Sequence, residues 1–405
     1  MKQPSLLVIF LTVFIDLIGF GIVLPLLPIY SKNFGANGFV IGAIMASYSA
    51  MQFLFSPVWG RLSDRIGRRP VLLVSTAGAA LSYGVFAIGS GMQGQVALWV
   101  LLGSRMLAGI CGANITVAQA YIADITPVEH RSKRMGLIGM AFGLGFIFGP
   151  AIGGFSLNHL GLTGPGWIAA GFCAANFILA LIILPESWKP SSEHVPDRPR
   201  MTQWAHVLAR PKIGLLVTVF FLATFCFTCF ETTLPLLVSH LFNLDSTRPQ
   251  DARFIAYLYA YCGIMGALVQ GGAIGRLVRA FGEQKLIIVS LFMVAASLAL
   301  LPFVRNRPEL LAALALLAIG SGLTRPPVFG LLSMLTPAHE QGETIGVAQS
   351  AGSLARIVGP IFAASLFDFR PAFPYVTCGI IALAAGLIAW KLLHGVQPAA
   401  AAAPG

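Results

Sequence analysis

Three ionisable residues stand near the middle of long apolar runs. Asp16 lies in a run that begins at Leu6, Arg105 in a later one, and Glu231 in another, among Phe225, Phe227 and Phe230. Asp16 is about ten residues into its run, roughly 15 Å along a helix at ~1.5 Å per residue. If the runs cross a bilayer, that is near its middle. A charge there costs about 2.5–3.5 kcal/mol on insertion scales, so such residues mark relays, ligand contacts or ion pairs. Burial penalises whichever form of a group is charged unless a partner offsets it, the condition for a carboxyl that takes up and returns protons. Asp16 therefore reads as a proton carrier or ligand contact, or as half of a structural pair with Arg105. Arginine keeps its proton, so Arg105 can hold an anion or act on a neighbouring acid by its charge, but cannot itself release a proton. Glu231 is a second candidate proton carrier. Beside aromatic rings it also suits a cationic or amphipathic compound, or it is a hydrogen-bonded core glutamate.

Other polar residues in the runs are Gln52, Asn114, Gln119, Gln270 and Gln349. They line a cavity or join helices by hydrogen bonds worth about 0.6 kcal/mol on average. With Phe227 and Phe230 they are the candidate substrate contacts. Arg325 and Arg356 fall toward one end of their runs, where gate or helix-end contacts fit better than substrate binding. Several chemistries find no support. Cys226-x-x-Cys229 has redox spacing but lies in an apolar run without a strand–helix context. No phosphate-binding Gly-x-x-x-x-Gly-Lys-Ser/Thr occurs, so no nucleotide drive is implied. The 7 histidines are scattered. Neither a metal-ligand cluster nor a nucleophile–base arrangement is visible, so no enzyme, cofactor or metal is expected.

These residues must be held by helices in a bilayer. Of the 405 residues, 57% are hydrophobic and 10% charged, against roughly 45–50% and about 25% in soluble domains. A spanning helix needs about 20 apolar residues. Twelve such segments can be placed, roughly 6–30, 40–59, 70–91, 96–122, 135–157, 167–184, 213–241, 255–274, 285–304, 310–335, 344–367 and 373–393. Their continuous apolar character argues for helices over barrel strands. The first run is too long for a signal peptide, so the N-terminus is expected to be retained.

The net charge of +11 has a simpler origin than nucleic acid. With the N-terminus placed in the cytoplasm, most Lys and Arg fall in cytoplasmic loops, the positive-inside pattern, and both termini lie inside. The polar stretch between the sixth and seventh segments contains Pro190, Pro196, Pro199 and Pro211. It divides the chain into a first six-helix bundle at 1–185, a cytoplasmic linker at 186–212 and a second bundle at 213–396. An Ala/Pro-rich tail follows at 397–405. The halves repeat. Thr126-Pro127, Gly136 and Gly149-Pro150 recur as Thr336-Pro337, Gly346 and Gly359-Pro360, while Gly60-Arg61-Leu62 and Gly67 recur as Gly275-Arg276-Leu277 and Gly282. Parallel repeats with a polar site between them are a common transporter architecture.

The stretch Gly60-Arg-Leu-Ser-Asp64-Arg65-Ile-Gly67-Arg68-Arg69-Pro resembles the signature loop of the major facilitator superfamily. Gly143-Leu-Gly145-Phe-Ile-Phe-Gly149-Pro150-Ala-Ile-Gly153-Gly154 resembles the antiporter motif of its twelve-span drug:proton branch. Asp16 with Pro25, and Arg105, also match that branch. Within it, 67–73 and 48–52 are similar to tetracycline-efflux pumps. Ser82 and the segment Val294-Ala295-Ala296 stand where those pumps have acids. The resemblance implies an all-α membrane protein of twelve transmembrane helices in two six-helix pseudo-repeats around a central cavity. It implies proton-coupled export of a small amphipathic compound or drug by alternating access, with a proton-coupled importer or facilitator of a small metabolite as the alternative. Arg105 would tune the proton step. Asp64 would sit against the N-terminus of span eleven and Arg68 would pair with Asp124, closing the cytoplasmic side. Gly60 and Gly67 would allow a tight turn, and Arg65 would belong to the same gate.

Gly145, Gly149 and Gly153 are four apart and share one helix face, which permits close packing, while Pro150 bends the helix. The implied partners are a small-molecule substrate, protons and lipid, with no nucleic acid. A bacterial inner membrane is the expected location, and a monomer suffices because one chain holds both halves.

Overall fold

The computed structural model describes residues 5–112, 114–126, 128–187, 200–244, 248–336 and 341–393, and among these the regular structure is entirely helical. The first sequence half contains α1 (Leu6–Val23), α2 (Leu27–Asn33), α3 (Gly38–Ile66), α4 (Arg68–Ser90), α5 (Gly94–Cys111), α6 (Asn114–Asp124), α7 (Val128–Leu160) and α8 (Gly164–Ile183). The short α9 (Arg200–Leu208) precedes α10 (Pro211–Leu241), α11 (Pro249–Leu268), α12 (Ile274–Leu300), α13 (Arg307–Leu335), α14 (Gln341–Phe369) and α15 (Phe373–Leu393). Pairs α1–α2 and α5–α6 are single spans interrupted near Pro25 and Gly112. Among the described residues, 11 helical segments are long and apolar enough to cross a membrane. The remaining expected span is α11, made less apolar by Asp251, Arg253, Tyr257, Tyr259 and Tyr261. Trp99, Ile182, Phe303 and Ile380 lie on the surface, as apolar side chains do when the solvent is lipid.

Two helices run further than their hydropathy alone predicts. α3 continues through Arg61, Asp64 and Arg65, so the expected loop is mostly helix, and Gly60 lies within it. The break is Gly67, at φ 100 and ψ 161. After α11 the helix passes through a π turn at Val269–Ala273 into α12, and the break is Gly282, at φ 76 and ψ 159. These positive-φ conformations favour glycine. The two repeat-related glycines thus make the same backbone turn.

The chain forms two compact units. One comprises Met1–Ser192, Thr232–Ile264 and Pro360–Asp368; the other comprises Glu193–Glu231, Met265–Gly359 and Phe369–Gly405. In the first unit, Ile9, Val13 and Leu17 of α1 pack with Val71, Leu72, Val117, Tyr121, Ala141 and Ala180. The second unit has its own core from α9, α10 and α12 to α15, including Val207, Leu216, Phe220, Leu291, Leu331 and Ala389. Cys226 and Cys229 lie buried, and their thiols donate to the carbonyls of Cys378 and Gly359, each at 3.4 Å. All six cysteines are free.

In the first unit α7 approaches α1 at backbone distance. A Cβ on Gly149 would stand 2.6 Å from the Gly21 backbone, one on Gly145 2.9 Å from Leu17, and one on Gly153 2.7 Å from the Ile22 carbonyl. The stripe is thus a packing surface, and it grips α1 one turn beyond Asp16. Gly149→Ala should destabilise the protein by about 1–3 kcal/mol, the usual range for overpacking, lowering the midpoint of thermal unfolding in detergent. Gly143→Ala, where a Cβ meets nothing within 4 Å, should leave that midpoint unchanged or raise it.

Candidate functional site

Asp16 sits halfway along α1, where the glycine contacts to α7 hold the helix. It lines a narrow cleft with Val13, Leu17, Phe20, Tyr48, Ala79, Tyr83, Ala108, Cys111, Gly112 and Ile115. The cleft has a volume of about 40 Å³. That admits a few waters at ~10–15 Å³ each. From α8, Asn176 Nδ2 donates to Asp16 Oδ1 at 3.4 Å and to the Thr12 carbonyl at 2.8 Å, and the Cys173 thiol lies 3.8 Å from Asp16 Oδ1. Only the NH₂ end of an amide can donate to a carbonyl, so Thr12 fixes which end of Asn176 faces the acid.

Arg105 is 2% exposed. Its guanidinium carbon lies 4.8 Å from the Tyr48 ring centre and 5.8 Å from that of Phe20. Phe20 and Tyr48 are themselves 5.1 Å apart. Among the described residues Arg105 forms no ion pair, whereas Arg68 pairs with both Asp64 and Asp124. The pairing of Arg105 with Asp16 considered from the sequence is not formed: aromatic faces flank the arginine, and Asn176 and Cys173 stand beside the acid. Desolvated contacts of a cation with aromatic faces reach about 2 kcal/mol. Gln52 Nε2 donates to the Gly112 carbonyl at 3.1 Å and approaches Tyr48 Oη at 3.4 Å, so it ties α3 to the break between α5 and α6. Gln119 is half-buried on α6. The side chain of Asn114 lies outside the described residues.

A second cluster forms at the Gly67 turn. Arg68 is 8% exposed. Its Nε donates to Asp124 Oδ2 at 3.0 Å and its Nη1 to Ser63 Oγ at 2.7 Å, and it also bonds Asp64. Ser187 Oγ donates to the same Asp124 oxygen at 3.1 Å. Glu186 accepts from the backbone N–H of Arg68 at 2.9 Å and of Arg69 at 3.0 Å, closing the N-terminus of α4. One guanidinium thus gathers α3, α4 and α6. Arg65 is exposed, and the nearest group to a Cβ on Gly60 would be the Thr116 methyl at 3.9 Å. Pro150 is buried in the middle of α7.

In the second unit, Glu231 is half-buried and feels the charge of Arg356. Phe227 and Phe230 lie 5.9 Å apart beside it. Arg325 lies over the rings of Phe220 and Phe329 at 6.0 and 5.7 Å, and its Nη2 donates to Gln349 Oε1 at 3.4 Å. Gln270 is exposed within the π turn.

Asn176, Cys173 and Glu186 do not figure among the sequence candidates. Asn176 had a signal, being a lone amide in a long apolar run. Glu186 had less, since it reads as a linker charge after Pro185. Glu186→Ala removes both carboxylate oxygens from the α4 N-terminus and should destabilise the protein by about 0.5–2 kcal/mol, the range for lost helix caps. Glu186→Gln, which keeps one acceptor, should lose less; thermal unfolding in detergent measures both.

Comparison with known proteins agrees with this architecture. The family model described as Major Facilitator Superfamily matches residues 9–360 and 271–405. The class E tetracycline resistance protein of Escherichia coli is 34% identical over 365 residues, covering 88% of this chain and 86% of that protein. Multidrug resistance protein 1 of Bacillus subtilis (strain 168) is 30% identical over 394 residues, covering 96% and 97%. The crystal structure of the human organic anion transporter MFSD10 superposes with a TM-score of 0.70 at 26% identity, covering 96% of this chain and 100% of that one. A nucleoside transporter, NupG, gives a TM-score of 0.77 at 12% identity over 97% and 100% of the two chains, which speaks to fold alone. These relatives are transporters rather than enzymes. With its all-helical spans, its repeat-related turns and a family match along nearly the whole length, the chain is a multi-pass membrane transporter that belongs to the major facilitator superfamily.

Proposed function

We propose that this transporter exports a small amphipathic compound from the cytoplasm in exchange for protons, by alternating access between the six-helix halves 1–185 and 213–396 joined by the linker 186–212. The observation that carries the proposal is Asp16: a carboxyl at mid-depth in α1, lining a cleft that admits water, with neutral hydrogen-bond partners from α8. A carboxyl beside water inside an apolar helix bundle is a group that can take up and return a proton. In the cycle, Asp16 takes a proton from the outer side and gives it up to the cytoplasm as the halves rock. The buried charge of Arg105 sets the electrostatic surroundings of that exchange, and Glu231 is the reserve proton carrier.

Substrate contacts are assigned to Gln52, Asn114, Gln119, Gln270, Gln349, Phe227 and Phe230. Asp64, Arg65, Arg68 and Asp124 at the Gly67 turn, with Gly60, would form the cytoplasmic gate. Gly145, Gly149, Pro150 and Gly153 would keep the seam beside α1 tight against leak, and Arg325 and Arg356 would act at the inner ends of the second half. The relatives that confer tetracycline or multidrug resistance support a drug-like substrate. Ser82 back-bonds to the Ala79 carbonyl at 2.8 Å and Val294 is buried. No acid therefore stands at either place to meet a metal–tetracycline chelate, so a broader amphipathic class fits better. The location would be a bacterial inner membrane, with both termini cytoplasmic and the monomer as the working unit.

Asp16→Asn should reduce proton-driven uptake into everted vesicles to background while the thermal unfolding midpoint stays within a few degrees of wild type. Full uptake by the variant would remove Asp16 from the mechanism. A susceptibility panel in an efflux-deficient host, with tetracyclines and cationic dyes included, tests the substrate class. Resistance to none of them, with uptake running inward under an imposed pH gradient, would point to import.

A further inference from the structure

The other end of α3 carries an arrangement that the roles above leave unused. Asn37 caps this helix, its Oδ1 accepting from Val40 N at 2.9 Å. The N–H of Gly38 donates to the carboxylate of Asp368 in the last turn of α14. The partners are 330 residues apart, one from each sequence half, yet both lie in the same compact unit. The backbones touch here. A Cβ on Gly38 would overlap the Ala364 carbonyl, and one on Gly42 would stand 2.6 Å from the Pro360 carbonyl. Ala36, Ile41, Leu236 and Ala364 pack together beneath, with Val40, Leu98 and Phe367 against them. The same unit holds a second seam, where Gly154 of α7 meets Arg253 and Ala256 of α11.

We propose that Asp368 is a gating residue: its carboxylate latches the N-terminus of α3 and holds the non-cytoplasmic end closed in this structure. The inference rests on the alternating-access reading. A helix N-terminus carries partial positive charge, which a carboxylate stabilises only while the two are in contact. Gly38 and Gly42 let the helices come near enough for that contact, and the apolar cluster beneath it excludes water. When the halves part at this end, the N–H and the carboxylate both return to water, so the latch biases one state of the cycle without fixing it. The α3–α14 pair then holds one acid for each end. Asp64 lies in the last turns of α3, and Asp368 lies in the last turn of α14. Asp368 contacts the N-terminus of α3 within one unit, whereas Asp64 is engaged by Arg68.

The test is the accessibility of position 41. Ile41, 1% exposed, is replaced by cysteine in the full-length protein, and intact cells are treated with a membrane-impermeant maleimide. The parent without this cysteine gives the background. With Asp368 present, labelling should be slow. Adding Asp368→Asn should speed it about fivefold, the change in a two-state equilibrium that corresponds to ~1 kcal/mol of lost charge–dipole contact. Asp368→Glu, which keeps the charge, should restore most of the slow rate. Equal rates for the wild-type and Asn backgrounds would overturn the proposal. So would a Glu variant as fast as Asn, because the charge would then be irrelevant. An unchanged unfolding midpoint in the Asn variant separates latch loss from general loosening. Labelling is read without substrate, so a failed assignment of Asp16 or of export leaves this result standing.

Discussion

The contact between α1 and α7 is the constraint on which the first unit is arranged. Gly145, Gly149 and Gly153 let α7 approach α1 at backbone distance. Lipid tails are as apolar as leucine, so helices in a bilayer gain little from simple burial and depend on close van der Waals fit. With α1 held on one side by α7 and on another by Asn176 and Cys173 of α8, Asp16 lines the cleft shared with Tyr48 and Tyr83. The depth of the acid follows from its place in the helix, while its surroundings follow from these two contacts.

The buried charges are handled in three ways. Arg68 is compensated by two carboxylates and a hydroxyl, so it behaves as a structural knot at the Gly67 turn. Arg105 has aromatic faces instead of a carboxylate, which leaves its charge available to act through space. Asp16 has Asn176 and Cys173 of α8 as neutral neighbours beside its carboxylate. Breaking a buried pair by removing one partner's charge is strongly unfavourable, commonly by about 3–5 kcal/mol.

The repeat is visible in backbone conformation as well as in residue identity. Gly67 and Gly282 adopt nearly the same dihedrals, and each follows a helix that runs past its apolar stretch through arginines. Side-chain chemistry differs between the two places. In the first half the turn is tied by Arg68, Asp64, Asp124 and Glu186, a set for which the second half has no residue-by-residue match. The duplication is thus one of backbone geometry, with unequal chemistry at the two turns.

Much of this was legible in the amino-acid order. Apolar length and sparse charge determined helices in a bilayer, because a backbone in lipid must satisfy its own hydrogen bonds. The offset glycines pointed to a repeat, and the two turns match. Asp16, Arg105, Arg68 and Asp124 stood out because a charge near or within an apolar run needs a reason. Three-dimensional packing decided what the order left open. Whether Asp16 meets Arg105 or Asn176 depends on how α8 rotates against α1, a matter of side-chain fit that periodicity does not encode. The extension of α3 to Ile66 placed Asp64 within reach of Arg68, though hydropathy ends the span sooner. Asp368, an ordinary-looking charge at a helix end, acquired a partner 330 residues away only because two glycines on α3 let α14 come close. Sequence pattern reports what each helix must hide from water or offer to lipid; which residues then face one another is set by long-range contacts among helices.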